Sequence, residues 1–463
     1  MTQGGVCQWW KSEWGPGPLI SLALPLMAST AFVSLTLFTD RTLLYWQSEK
    51  AASAAMGAGS VYWCIICLPT GLLGYVSVFV SQYVGAKQRD RIGVAYQHAM
   101  RLAWIIVPLL LLCLVFAPSL FALAGHAPEL REMETTYLRV LLVGGLAVLI
   151  YSAQGGLLTG LGRTKAVMLI DALATVVNLV LDFILIFGWG PIPAMGVLGA
   201  AVATAISFWI KVPMAHWLIH SDSAMGSELC FNRASPWEPA LLKRLVVFGA
   251  PAGLQMLAEA GAFTIIMLQV GKLGELPMAA TTLALGLNVL AFVPMMGLGI
   301  GVGVLVGQRL TENRIDLAER TVTCASVLAG CYTGIFAILL GLFPDFMVAI
   351  YSWGTDAERF EQMRPMLVPL LRIIALYCVI DGFQIVYVGA IKGAGDTWFV
   401  LLATTVLSFG VVLLGVAYEI RFGSSVMLWW WVIALWVLAM AIAFGGRFFQ
   451  GKWKSMRVIE VQY

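Results

Sequence analysis

Long runs of apolar residues follow one another along almost the whole chain, separated by short polar segments. A helix needs about 20 apolar residues to cross a bilayer, and twelve runs are of about that length. The pattern therefore predicts an all-α integral membrane protein with twelve transmembrane helices. The predicted spans are 17–40, 52–82, 96–124, 135–160, 165–188, 195–219, 241–270, 277–307, 318–350, 366–391, 398–419 and 426–448.

Several motifs within these runs occur twice. The shift is 233 residues for a glycine motif and for a Leu-Arg pair, and 226 residues for an earlier valine-rich motif. The pairs are Gly156-x3-Gly160-x-Gly162-x-Thr164 with Gly389-x3-Gly393-x-Gly395-x-Thr397, Leu138-Arg139 with Leu371-Arg372, and Gly71-Leu72…Val76-x-Val78-x-Val80-x-Gln82 with Gly297-Leu298…Val302-x-Val304-x-Val306-x-Gln308. A repeat of about half the chain length indicates a duplicated membrane bundle, an organisation typical of solute transporters.

Each half of the repeat contains six predicted spans. An even number returns the chain to its starting side, so both halves enter the membrane in the same orientation. We therefore expect two six-helix bundles related by a pseudo-two-fold axis along the membrane normal. The predicted boundaries are 1–219 for the N-terminal lobe, 220–239 for a cytoplasmic linker and 240–463 for the C-terminal lobe.

Composition agrees with a chain that faces lipid over most of its surface. Hydrophobic residues make up 60% and charged residues 11%, against about 25% charged residues in soluble domains. The net charge of +3 gives no reason to expect a nucleic-acid partner. The predicted topology places 19 of the 28 Lys and Arg residues on the side that carries both termini. The positive-inside rule then predicts cytoplasmic termini in an inner (plasma) membrane protein.

Other patterns limit the chemistry that the chain supports. No P-loop is present, and neither a His/Cys cluster nor a Ser-His-Asp arrangement is found among the four His and eight Cys residues. We therefore expect no cofactor and no enzyme activity. Trp429, Trp430 and Trp431 open the last span and are interpreted as part of an interfacial aromatic belt.

Ionisable residues inside the spans of the first half point to an ion site. Asp40 lies late in the first span, after Pro25, and the fifth span carries Asp171, Asn178 and Asp182. Spacings of 7 and 11 residues place the last three near one helical stripe. Asn178 and Asp182, one turn apart, offer oxygen ligands for a proton or a small hard cation. Asp171, near the cytoplasmic start of its span, is interpreted as an interfacial residue.

The second half carries a different set of polar residues. Glu259 lies in the seventh span, and Tyr377 and Asp381 lie one turn apart in the tenth. The 233-residue shift aligns Tyr377 and Asp381 with Gly144 and Val148, so these oxygens are not part of the repeated scaffold. Charges inside a membrane span are costly and usually functional, which makes this group a second candidate cation site.

The chain resembles the multidrug and toxic compound extrusion (MATE) transporters over nearly its whole length. The resemblance rests on the order of three motifs within a six-plus-six repeat. They are Gln82-Tyr83-Val84-Gly85-Ala86 after span 2, Asn178-x3-Asp182 followed by Met195-Gly196-Val197-Leu198-Gly199-Ala200-Ala201-Val202-Ala203-Thr204, and Gly393-Ala394-Gly395-Asp396-Thr397 after span 10.

This resemblance implies two lobes around a V-shaped cleft and a secondary antiporter that exports organic cations or drugs in exchange for Na⁺ or H⁺. It implies an N-lobe proton or cation site at Asp40, Asn178, Asp182 and Thr204, and a C-lobe sodium site at Glu259, Tyr377 and Asp381. The basic Arg41 beside Asp40 departs from the family pattern. The expected partners are an amphipathic organic cation and the lipid bilayer, with the chain acting as a monomer.

Two other functions fit the sequence less well than cation export. A lipid-linked saccharide flippase of the same broad fold needs several cationic residues to hold pyrophosphate, whereas the charges within these spans are mainly acidic. A channel or structural membrane protein gives no reason for buried acids at one-turn spacing.

Overall fold

The computed structural model describes residues 12–123, 127–221, 236–352 and 357–460, without the side chains of 49, 349–352 and 357–360. Twelve helical segments in these ranges are long and apolar enough to cross a membrane. The predicted all-α membrane fold with twelve spans is therefore confirmed. The helices are α1 Gly17–Gln47, α2 Glu49–Gly74, α3 Val76–Gly85, α4 Arg89–Leu123, α5 Pro128–Gly160, α6 Thr164–Phe187, α7 Val197–Ser221, α8 Pro239–Gly271, α9 Glu275–Thr311, α10 Ile315–Leu342, α11 Pro344–Ser352, α12 Ala357–Ala394, α13 Thr397–Phe422 and α14 Val426–Phe449.

Two spans differ from their predicted form. The second span consists of α2 and α3, which meet at Tyr75. The ninth was predicted too long, because α10 ends at Leu342 and the separate helix α11 begins at Pro344. A residue that precedes proline is disfavoured in helical conformation, and Phe343 leaves the helix with φ −122° and ψ 45°. Most of the predicted linker, 222–235, lies outside the described residues.

The chain divides into two compact units. The N-unit comprises Ala28–Leu254 and Val458–Tyr463, and the C-unit comprises Met1–Met27 and Gln255–Arg457. The N-unit thus includes the first half of α8, and the C-unit includes the first part of α1. Buried apolar side chains form one core within the N-unit, around Leu138 and Ala200, and another within the C-unit, around Leu371 and Trp429. The predicted lobe boundaries describe the sequence repeat and stay a prediction.

The repeated glycines make the same kind of helix contact in each unit. In the N-unit, a Cβ atom on Gly160 would lie 2.6 Å from the Ser77 carbonyl oxygen. In the C-unit, a Cβ atom on Gly393 would lie 2.7 Å from the Cα atom of Gly303. Both distances are too short for a real side chain, so the backbones approach closely only because these positions carry glycine. The repeat in the sequence is therefore a repeat of helix packing.

The repeated glutamines, in contrast, bind different partners. In the N-unit, the side-chain oxygen of Gln82 accepts a hydrogen bond of 2.8 Å from the Val458 backbone N–H, and Arg244 donates to the Val458 carbonyl at 3.0 Å. In the C-unit, Gln308 instead donates to Glu312 on its own helix at 3.0 Å. Gln82 therefore anchors the C-terminal segment, a role that its repeat partner lacks.

A salt bridge outside the spans connects α4 to the start of α8. Arg91 donates two hydrogen bonds to the Glu238 carboxylate, at 3.0 Å and 2.9 Å. The guanidinium group lowers the pKa of Glu238 below its ordinary value. A lowered pKa means that the stabilisation is present above the ordinary Glu pKa and is lost as the pH falls through the folded-state value. The link is half-exposed, so its contribution is about 1 kcal/mol or less.

The interpretation of the three tryptophans as an interfacial belt is wrong for two of them. Trp429 and Trp430 are fully buried, and only Trp431 is half-exposed. The indole N–H of Trp430 donates to Thr281 Oγ1 at 3.2 Å. Most buried indoles have such a partner, whereas the Trp429 indole N–H has none among the described residues. These two rings therefore belong to the core of the C-unit.

Gly393→Ala is expected to destabilise the protein by about 1–3 kcal/mol, because the new methyl group forces α9 and α12 apart. Gly410→Ala is the matched control, since a Cβ atom there meets no atom within 4 Å. The measurement is the thermal unfolding midpoint of the purified protein in detergent. Equal midpoints for the two variants would contradict the close-packing interpretation.

Candidate functional site

All four residues of the predicted N-lobe site come together inside the N-unit. Asp40 of α1 accepts a hydrogen bond from Thr204 Oγ1 of α7 at 3.0 Å. Asn178 of α6 donates to the same threonine oxygen at 3.5 Å. Asp182, one turn further along α6, lies within hydrogen-bonding range of the Asp40 carboxyl group. Each of the four side chains is at most 5% exposed.

This cluster has more hydrogen-bond acceptors than donors. Asp40 Oδ1, Asn178 Oδ1 and both carboxyl oxygens of Asp182 are buried and accept no hydrogen bond from an N–H or hydroxyl donor in the described part of the chain. Two carboxyl groups that face each other away from water are stable when a proton or a cation lies between them. The arrangement is therefore chemically suited to bind one proton or one small cation.

Two tyrosines near these acids were missed in the sequence. Tyr137 lies close enough to interact electrostatically with both Asp40 and Asp182, and Tyr62 lies close to Tyr137. Both rings are less than 9% exposed, and the Tyr62 hydroxyl group has no partner among the described residues. The sequence repeat contained a signal for Tyr137. The 233-residue shift aligns it with Leu370, so this tyrosine is not part of the repeated scaffold.

Arg41, which departs from the family pattern, lies within electrostatic range of Asp40 and Tyr137. Its side chain is exposed, whereas Asp40 is 3% exposed. Adjacent residues on a helix point about 100° apart, so the two side chains face different surroundings.

Asp171, predicted to be interfacial from its place near the start of its span, is enclosed by protein in the N-unit. Its carboxylate is buried and forms an ion pair of 2.9 Å with Lys211 of α7. Tyr151 donates a hydrogen bond to Asp171 at 3.1 Å, and Ser29 donates another. The Lys211 ammonium also lies 5.3 Å from the centre of the Tyr151 ring, a cation–π distance. Helical spacing does not predict this ion pair, because Asp171 and Lys211 lie on different helices, 40 positions apart.

A continuous polar seam runs between α1 and α6. Ser29 contacts Asp171 at one end, Thr36 Oγ1 donates to Thr175 Oγ1 at 3.2 Å in the middle, and the Asp40 cluster forms the other end. The predicted stripe of α6 therefore faces α1, with Thr175 as an additional member. This seam holds α1 against the N-unit through polar contacts at three levels.

The predicted C-lobe residues also cluster, inside the C-unit. Tyr377 and Asp381 of α12 are 3% and 9% exposed, and Asp381 lies within electrostatic range of Glu259 on α8. Glu259 accepts a hydrogen bond of 3.0 Å from Gln255, one turn earlier on α8. Asp381 thus has the Glu259 carboxylate in electrostatic range and the Tyr377 phenol one turn away on its own helix. Oxygen groups of these kinds are ligands that a hard monovalent cation prefers.

Lys392 is part of this second cluster and was missed in the sequence. Its ammonium donates to Gln255 Oε1 at 3.2 Å and lies within electrostatic range of Glu259. In the predicted topology, Lys392 is only one of the positive charges on the cytoplasmic side. A spacing of 11 residues, three turns of helix, places it on the stripe of Asp381, and that spacing was the available signal.

Known proteins resemble this chain over most of its length. The family model MatE matches residues 25–184 and 251–418. The chain is 27% identical over 401 residues to multidrug resistance protein MdtK of Edwardsiella ictaluri, covering 83% of each chain. It is also 27% identical over 387 residues to multidrug resistance protein NorM of Photobacterium profundum, again covering 83% of each chain.

A solved structure shares the fold. It is the outward-facing conformation of a multidrug resistance MATE family transporter of the MOP superfamily, with a TM-score of 0.84 and 22% sequence identity. The alignment covers 98% of this chain and 100% of that structure. At this level of identity the likeness establishes the fold alone.

Lys211→Met is expected to destabilise the protein by about 3–5 kcal/mol, because it leaves the Asp171 carboxylate buried without its counter-ion. The double variant Asp171→Asn/Lys211→Met removes both charges and should recover most of that loss. Thermal unfolding of the purified protein measures both effects. Lys50→Met is the matched control, since Lys50 forms an exposed ion pair of 2.9 Å with Glu129 and should cost about 1 kcal/mol or less. A single variant as stable as this control would contradict the assignment.

Proposed function

The chain belongs to the MatE family of multidrug and toxic compound extrusion transporters, and we propose that it is a secondary antiporter that exports organic cations or drugs in exchange for Na⁺ or H⁺. The observation that carries this proposal is the pair of facing carboxyl groups, Asp40 and Asp182, buried among oxygens that lack donors. A separate acidic cluster in the C-unit supports it. The proposal covers transport without catalysis and without a bound cofactor.

In the N-unit, the Asp40 cluster is proposed to exchange a proton or cation for the substrate. An ion between Asp40 and Asp182 removes the repulsion of the two carboxylates, and α1 then packs closely against α6 and α7. When the ion is absent, the uncompensated negative charge favours binding of an organic cation. Thr204 and Asn178 fix the orientation of Asp40 through their hydrogen bonds.

In the C-unit, Glu259, Tyr377 and Asp381 are proposed to bind Na⁺. The family resemblance assigns these positions to the sodium-coupled branch. The low exposure of Tyr377 and Asp381, with Glu259 in electrostatic range of Asp381, supports that assignment. Carboxylate and phenol oxygens are hard ligands that replace the water shell of such an ion.

Coupling requires that the ion and the substrate prefer different conformational states, since a ligand with equal affinity for both states shifts nothing. A membrane potential of 100 mV supplies about 2.3 kcal/mol for each charge that crosses it. Export of a monovalent organic cation moves one charge outward, so the potential contributes only when more than one Na⁺ or H⁺ enters for each molecule exported. A one-for-one exchange is driven by the concentration gradient of the ion.

The flippase alternative is not favoured. Such a protein needs several cationic side chains that are free to hold pyrophosphate. In the described clusters Lys211 is paired with Asp171, and Lys392 is connected through Gln255 to Glu259.

Asp182→Asn and Asp381→Asn are each expected to reduce export at least tenfold, because each removes a carboxylate from one of the two clusters. The measurement is efflux of a fluorescent organic cation from proteoliposomes with Na⁺ and pH gradients imposed separately. Asp345→Asn is the control, since Asp345 forms an exposed ion pair with Arg364. Wild-type efflux that ignores both gradients would contradict antiport, and full efflux by either variant would remove that cluster from the mechanism.

The chain is a multi-pass membrane protein, and we propose that it is an inner-membrane monomer with both termini in the cytoplasm. A fluorescent protein fused after Tyr463 should fluoresce, whereas alkaline phosphatase fused there should be inactive. The same phosphatase fused after Ser48, between the first two spans, should be active. The reverse pattern of activity would contradict the proposed orientation.

A further inference from the structure

The C-unit cluster contains its own cation. Lys392 Nζ donates to Gln255 Oε1 at 3.2 Å, and Gln255 Nε2 donates to Glu259 Oε1 at 3.0 Å. One amide therefore connects the ammonium to the carboxylate that belongs to the proposed sodium site. A glutamine can do this because it carries both an acceptor and a donor.

Glu259 has one anionic and one cationic neighbour on α12, Asp381 and Lys392. Asp381 and Lys392 lie on one stripe of α12, 11 residues and so about 16 Å apart along the helix. Glu259 lies within electrostatic range of both. Glu259 is therefore influenced by a carboxylate at one level of α12 and by an ammonium at another.

The chemistry of this arrangement favours competition for Glu259. Two carboxylates buried without a cation are strongly unfavourable, and both Na⁺ and a lysine ammonium provide one positive charge. The lysine ammonium is a compact charge on a flexible four-carbon stem, so it can follow a carboxylate over several ångströms. Gln255 offers the ammonium an alternative oxygen when Glu259 is engaged elsewhere.

We propose that Lys392 is a tethered internal cation that competes with Na⁺ for Glu259. When Na⁺ is bound with Asp381 and Tyr377, the ammonium stays on Gln255. When Na⁺ leaves, the ammonium compensates Glu259 in its place. The proposal rests on the proposed sodium site and adds a residue that sets its affinity: by stabilising the empty site, Lys392 weakens Na⁺ binding and promotes release of the ion.

Lys392→Gln should therefore bind Na⁺ more tightly than the wild-type chain. The measurement is the Na⁺ concentration that gives half of the maximal thermal stabilisation of the purified full-length protein, with KCl replacing NaCl at constant ionic strength. We expect that concentration to fall at least fivefold. Lys392→Arg, which keeps the charge, and Lys452→Gln, which alters an exposed lysine, should both resemble the wild type.

The double variant Glu259→Gln/Lys392→Gln separates competition from a structural effect. It should lose the Na⁺ response, because the carboxylate over which the two cations compete is gone. An unchanged midpoint in Lys392→Gln, an equal shift in Lys392→Arg, or tight Na⁺ binding in the double variant would each overturn the proposal.

A measurement on the unmutated protein covers the case in which Lys392→Gln does not fold. Na⁺ binding should leave Lys392 without its carboxylate partner, so its labelling by a membrane-permeant amine reagent should rise with NaCl relative to KCl. Labelling of Lys452 should stay constant. Equal labelling of Lys392 in both salts would overturn the proposal.

These results are independent of the efflux assay. Export without any Na⁺ effect on midpoint or labelling would overturn the role of Lys392 and leave antiport intact. A Na⁺-dependent shift in Lys392→Gln without export would support the internal cation and reject the transport proposal.

Discussion

The free-energy cost of burying negative charges away from water determines how the acidic residues of this protein are arranged. Carboxylates buried within membrane helices are unstable unless a proton, a metal ion or a cationic side chain compensates them. The chain handles this cost in three ways. Asp171 is paired with Lys211, Asp40 and Asp182 face each other with unsatisfied oxygens, and Glu259 is connected to Lys392 through an amide. The Asp171–Lys211 pair is neutral without any further ion. The other two clusters have carboxylate oxygens that can bind an exchanging cation.

The scaffold around these acids is built for rigidity and close packing. Glycines repeated between the halves let backbones approach at Gly160 and Gly393. The polar seam between α1 and α6 fixes the first helix at three levels. This packing positions the helices that carry the acids, so a bound ion acts on groups that the scaffold already brings near one another.

Much of the fold and part of the site were readable in the sequence. Hydrophobic run length predicts the twelve spans, because in a bilayer every backbone polar group must be satisfied within a helix. One-turn spacing groups Asn178 with Asp182 and Tyr377 with Asp381, since helical geometry is local. Contacts between helices are not local, so the Asp171–Lys211 pair and the burial of Trp429 and Trp430 escaped prediction. Lys392 was not predicted as a site residue, because the positive-inside rule interprets a lysine near a helix end as a signal of membrane topology.

The central proposal is that the organic cation and the coupling ion compensate the same buried carboxylates, Asp40 and Asp182, so each weakens binding of the other by the same factor. Equilibrium binding of a fluorescent organic cation to the purified protein tests it most directly, with Na⁺ varied at fixed pH and pH varied at fixed Na⁺. The account predicts that the affinity for the organic cation falls as the concentration of the coupling ion rises, and that saturating organic cation weakens ion binding by the same factor. An affinity that stays constant across both titrations would contradict it.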